Sequence, residues 1–200
     1  MKHLLAAVAT AATLLAAPAA HADLVRYAAL LAPEVAGATG SGFVTVDYDT
    51  VANTLLIQAS WSGLTGVTTV SHIHCCTAVA ETATVGVAVT PGTLPGFPGV
   101  GSSTPGVSEG SYTSPLIDLN LASSFTAAFV NNFAGGVLGN ADDALIAGFN
   151  SGKAYFNIHS DRFPAGEIRG FLQVPEPSSL ALVLMPLLAL GATARRRKQA

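Results

Sequence analysis

The chain predicts an all-β fold, a Greek-key β-sandwich or small barrel of about eight strands with two short inserted helices. Three observations carry this. The 20 glycines and 11 prolines of the 200 residues fall as punctuation between short apolar runs. Several of those runs alternate apolar and polar residues, so that one face covers a core. Half of the residues are hydrophobic and only 10% are charged, which excludes a disordered chain.

Leu24–Leu31 is an apolar first strand. In Gly42–Asp49, Val44, Val46 and Tyr48 face one way while Thr45, Asp47 and Asp49 face the other. In Thr54–Trp61, Leu55, Ile57, Ala59 and Trp61 share a face. Val67–His74, the β-branched Thr84–Val89, Ser111–Leu119, Lys153–His159 and Glu167–Gln173 complete the strands. Pro91–Gly110 holds four prolines and six glycines, which excludes an interior strand and makes it a long loop, functional or mobile. Ser123–Phe133 reads as a helix, with Phe125, Ala128 and Phe129 at helical spacing. Ala141–Phe149 reads as a second, with Asn140 as its cap and Asp142 and Asp143 in its first turn. Gly148 and Gly152 are expected to end it.

Both ends read as addresses rather than as fold. Residues 1–22 form a signal peptide: Lys2 and His3 open it, Leu4–Ala17 is its apolar run, and Ala20-His21-Ala22 is an A-x-A site for signal peptidase, with cleavage between Ala22 and Asp23. At the other end Pro175-Glu176-Pro177 precedes the uncharged Leu180–Ala194 and then Arg195-Arg196-Arg197-Lys198. That order is a stop-transfer pattern, a transmembrane helix with its basic end on the cytoplasmic side. Residues 23–174 are the expected domain, long enough for one ordinary core. Its four basic and eleven acidic residues leave a net charge of −7. Such a surface repels phosphate, and no nucleic-acid partner is expected.

Three histidines lie in this domain. His72 and His74 are two apart on one strand and project to one face, while Ile73 points the other way. His159 ends another strand, where Phe156 and Ile158 face the core and Asn157 and His159 do not. If these strands meet, three imidazoles converge, a donor set suited to zinc or copper. The same histidines also suit hydrogen bonds to loops at a strand end. Cys75 and Cys76, the only cysteines, follow at once. An exported chain would normally pair them. Neighbouring Cα atoms lie about 3.8 Å apart across a trans peptide, short of the roughly 4.4–6.8 Å that disulfides prefer. A vicinal disulfide, free thiols, a thiolate ligand and pairing between chains all stay open.

The remaining polar residues suggest less. Asp47 and Asp49 form a weak Ca²⁺ candidate, and Glu167 and Arg169 share a strand face as an ion pair. Trp61, Tyr112 and Tyr155 are stacking faces for a carbohydrate-binding module. No G-x-S-x-G, H-E-x-x-H or phosphate-binding glycine loop occurs, no catalytic residue is assigned, and no enzyme is expected.

Two resemblances extend this reading. The last 26 residues resemble the PEP-CTERM sorting signal. That resemblance implies recognition by exosortase, cleavage near Pro175-Glu176-Pro177, and transfer to the cell envelope or an exopolysaccharide matrix. His72-Ile73-His74, Tyr155-Phe156-Asn157-Ile158-His159 and Pro164-Ala165-Gly166-Glu167-Ile168-Arg169-Gly170 resemble the CHRD domain over roughly residues 24–173. This implies a β-rich extracellular domain but supplies no activity; the acidic domain, the missing catalytic constellation and the sorting signal point to a binding or structural role outside the cell. Cys75-Cys76 stand where many members of that family have glycine. The His-x-His strand is also similar to copper–zinc superoxide dismutases, but three histidines are fewer than that site needs, and no dismutase activity is expected.

Overall fold

A computed structural model describes residues 23–175. Its strands are β1 (Leu24–Pro33), β2 (Ser41–Asp49), β3 (Thr54–Ser62), β4 (Thr68–His74), β5 (Val87–Val89), β6 (Gly110–Thr113), β7 (Ile117–Asp118), β8 (Tyr155–Ser160) and β9 (Ile168–Phe171). Its α-helices are α1 (Ala127–Phe133) and α2 (Ala141–Asn150). The strands run antiparallel in the order β5-β4-β8-β9-β1-β2-β3-β6, and β7 pairs with β3 beyond β6. β1, β2 and β3 form a meander. The chain then crosses to the far end of the sheet for β4 and β5 and returns to β3 for β6. After the helices, β8 and β9 insert between β4 and β1. The sheet curls into a half-barrel, with the mostly β architecture that the alternation predicts.

The period-2 pattern is what the core uses. Val44, Val46, Leu55 and Ile57 are fully buried, as are Ile73, Phe156, Ile158 and Ile168 from the other half of the sheet. The helices close over these residues. Phe149 of α2 lies 4.8 Å from the Tyr27 ring, and Phe129 of α1 stacks on Phe125 at 5.8 Å.

Several elements differ from the sequence expectation, each for a local reason. Ser111–Leu119 splits into β6 and β7, because Pro115 cannot donate to the ladder. Ser114 instead bridges to Ile57, its N–H donating to the Ile57 carbonyl and its hydroxyl accepting from the Ile57 N–H, both at 2.9 Å. The helix expected over Ser123–Phe133 starts only at Ala127. Thr126, extended, caps it by accepting from the Phe129 N–H at 3.2 Å. Asn140 makes no side-chain cap, and its amide donates to Ala134 O at 3.4 Å. Asp142 and Asp143 do occupy the first turn of α2.

Gly148 lies inside α2 rather than ending it. A Cβ there would overlap the Sγ atoms of Cys75 and Cys76, so only glycine lets the helix lie this close. Gly152, at φ +64°, follows the helix end.

The long Pro91–Gly110 loop is tied down along β4. Leu94 and Phe97 are fully buried. Leu94 N–H donates to Ser71 O at 3.0 Å, Val100 N–H to Thr69 O at 2.8 Å, and the Thr68 hydroxyl to Pro98 O at 2.7 Å.

Among the described residues no helix is long and apolar enough to cross a membrane. The signal peptide, the Glu176-Pro177 part of the sorting motif and the expected span at 180–194 lie outside them.

Gly148→Ala should destabilise the domain by about 1–3 kcal/mol, because a methyl group has nowhere to go in this contact. Gly139→Ala, with nothing within 4 Å of its added Cβ, should leave stability nearly unchanged. Chemical denaturation midpoints of the two variants check this.

Candidate metal centre

The pairing of β4 with β8 brings the histidines together. Ile73 stands opposite Phe156 and points into the core, so His72 and His74 face the other side of the sheet. His72 is in register with Asn157, and His74 with Tyr155. His159 follows Asn157 by two residues on that same face. This second face is not open to solvent, and all six residues of β8 are buried. Loops cover it, and each presents a carbonyl to one imidazole. His72 Nε2 lies 2.7 Å from Gly92 O, His74 Nδ1 2.7 Å from Val85 O, and His159 Nδ1 2.9 Å from Pro164 O.

These carbonyls settle the tautomers. A carbonyl only accepts, so each of those ring nitrogens carries the hydrogen, and the other nitrogen of each neutral ring is a bare lone pair. The three bare nitrogens are His72 Nδ1, His74 Nε2 and His159 Nε2. They face one another: His72 Nδ1 and His159 Nε2 are 3.1 Å apart, and ligand atoms of all three residues lie within 4.8 Å of one another. Two lone pairs at 3.1 Å need a proton or a cation between them. His74 Nε2 is buried with no hydrogen-bond partner. Burial favours the neutral ring at His72 and His74. It pushes His74 down to about 4 and lowers His72 as well, since a charged ring would lose its hydration there.

A tetrahedral zinc ion with Zn–N bonds of about 2.0–2.1 Å sets its nitrogens roughly 3.4 Å apart. The closest pair here, at 3.1 Å, is near that spacing, and ligand atoms of all three residues lie within 4.8 Å of one another. Outer hydrogen bonds from metal-ligating histidines to carbonyls are the usual way such ligands are oriented. His74 is further held by stacking on Tyr155, with ring centroids 4.6 Å apart and planes at 5°. Arg169 in turn lies over the Tyr155 ring at 5.1 Å.

The other candidates fall outside this centre. Cys75 and Cys76 are bonded to each other across a cis peptide, with Cα atoms 3.0 Å apart, and their sulfurs pack toward α2. Glu167 and Arg169 do not pair. Glu167 accepts from the Thr65 N–H, while Arg169 reaches Glu34 at 3.4 Å and donates to Ala83 O at 2.8 Å. Asp47 forms a two-point pair with Arg26 at 2.6 and 2.7 Å, and Asp49 accepts from Val51 N–H and Ala52 N–H in the turn after β2. The two aspartates are thus engaged in structural contacts rather than arranged around a calcium ion. Trp61, Tyr112 and Tyr155 are 3%, 6% and 2% exposed, and none offers a free stacking face.

Sequence reasoning missed the Glu34–Arg169 pair and the three loop carbonyls. A backbone carbonyl has no residue-type signature, and Glu34 is distant in sequence from all it touches. Asn157 was legible as a neighbour of His159 on one face, though not as part of the centre.

The Glu34 carboxylate is 6% exposed, so removing its cation leaves a buried charge. Arg169→Met should therefore cost about 3 kcal/mol or more. Adding Glu34→Gln to that variant should recover part of the loss, as read from denaturation midpoints.

No curated protein and no solved structure matches the chain. The model of the CHRD domain family matches residues 22–172, which takes in β1 to β9, both helices and all three histidines. The chain therefore belongs to the CHRD domain family.

Proposed function

We propose that this CHRD domain is exported and holds a zinc or copper ion between His72, His74 and His159. The observation that carries the reading is the inward convergence of three buried imidazole lone pairs, each fixed by a carbonyl behind it. Imidazole donors suit both metals, and a His₃ set leaves one position for a further donor. The N-terminal apolar run with its A-x-A site supports export, and the Pro175-Glu176-Pro177 tail supports exosortase sorting to the envelope or matrix. In that setting the domain acts as a binding or structural component, with the metal as part of its function or of its stability.

Elemental analysis of the purified protein should find about one zinc or copper ion per chain. His72→Ala/His159→Ala should lose it. A wild-type protein that takes up neither metal, even from excess, removes the reading. Export has its own measurement: the secreted protein should begin at Asp23, and deletion of Pro175-Glu176-Pro177 should leave it membrane-bound. An N-terminus at Met1 or an unchanged distribution counts against the two addresses separately.

A further inference from the structure

Asn157 sits in the middle of the centre. It stands opposite His72 across the β4–β8 ladder, and His159 follows it by two residues on the same face of β8. His74 lies diagonally across from it, opposite Tyr155. Asn157 is 1% exposed, and its Oδ1 has no hydrogen-bond partner. A buried amide oxygen left unpaired is costly, so its persistence calls for a ligand. The orientation of the amide is set from behind. Nδ2 donates to Glu34 Oε2 at 3.5 Å, and Glu34 is held by Arg169. The NH₂ group is therefore turned to the carboxylate and the oxygen away from it.

We propose that Asn157 Oδ1 is the fourth donor of the metal centre, making an N₃O set with His72, His74 and His159, and that Glu34 is the residue that positions it. The proposal rests on the metal-binding reading above. All four donors are neutral, so the bound ion keeps its charge, and the Glu34 carboxylate, which polarises the amide through its NH₂ group, lies behind the donor atom. A borderline ion that accepts nitrogen and oxygen together, zinc in tetrahedral geometry, fits such a set.

The test is zinc affinity by chelator competition, with the visible spectrum of the Co²⁺-loaded protein as reporter of the donor set. Asn157→Ala should weaken zinc binding about 10- to 100-fold and shift the Co²⁺ bands, as water replaces the amide. Asn157→Asp, which keeps an oxygen in place, should bind zinc more tightly than Asn157→Ala does, and its carboxylate should also shift the bands. Glu34→Gln should weaken binding less than Asn157→Ala does. Wild-type affinity with an unchanged Co²⁺ spectrum in Asn157→Ala overturns the fourth donor and leaves the three histidines standing. If Asn157→Ala does not fold, unchanged Co²⁺ bands in Asn157→Asp overturn it instead. A wild-type protein that binds neither zinc nor Co²⁺ overturns the metal-binding reading and this proposal together.

Discussion

The pairing of β4 with β8 is the constraint on which the centre depends. Side chains alternate along each strand, so one register decides both faces at once. Ile73 against Phe156 seals the core on one side. The same register puts His72 against Asn157 on the other, with His74 and His159 beside them. A slip of β4 by one residue would turn His72 and His74 into the hydrophobic core and carry Ile73 out of it. The hydrophobic interior that stabilises the fold thereby also fixes the geometry of the histidines.

Burial on the second face comes from loops rather than from another layer of secondary structure. The segment that follows Cys76 supplies the Val85 carbonyl, the segment that follows β5 supplies Gly92, and the β8–β9 turn supplies Pro164. Each of these carbonyls fixes a tautomer, and together they leave the inward nitrogens bare. Water is largely excluded, so the lone pairs cannot be satisfied by solvent, and burial favours the neutral ring at His72 and His74. The Arg169–Glu34–Asn157 chain adds a fourth oriented acceptor by the same means.

The vicinal cysteines belong to a different part of the structure. They follow β4 immediately, yet their sulfurs pack against α2 at Gly148, where no side chain larger than hydrogen fits. The contact couples the end of the histidine-bearing strand to the helix that carries Leu145 and Phe149 into the core. Trp61 and Tyr112, candidate sugar-stacking residues by sequence, serve the interior in the same way. The Trp61 ring lies 5.3 Å from Phe97, and the Phe97 ring 5.2 Å from Tyr112.

Most of the strands, both helices and the shared face of His72 and His74 were legible because periodicity is local: two residues per strand repeat, about 3.6 per helical turn. Glycine and proline marked the long loop for the same reason. Helix starts were less legible, since whether Thr126 or Asn140 caps depends on which backbone groups the tertiary structure leaves without partners. The sequence by itself determined which residues could face a core and which could ligate a metal. Only the tertiary structure decided that β8 would lie between β4 and β9 with both faces covered, and that Arg169 would pair with Glu34 rather than Glu167. Those outcomes depend on contacts between residues far apart in the chain, and a local pattern of hydrophobicity carries no record of them.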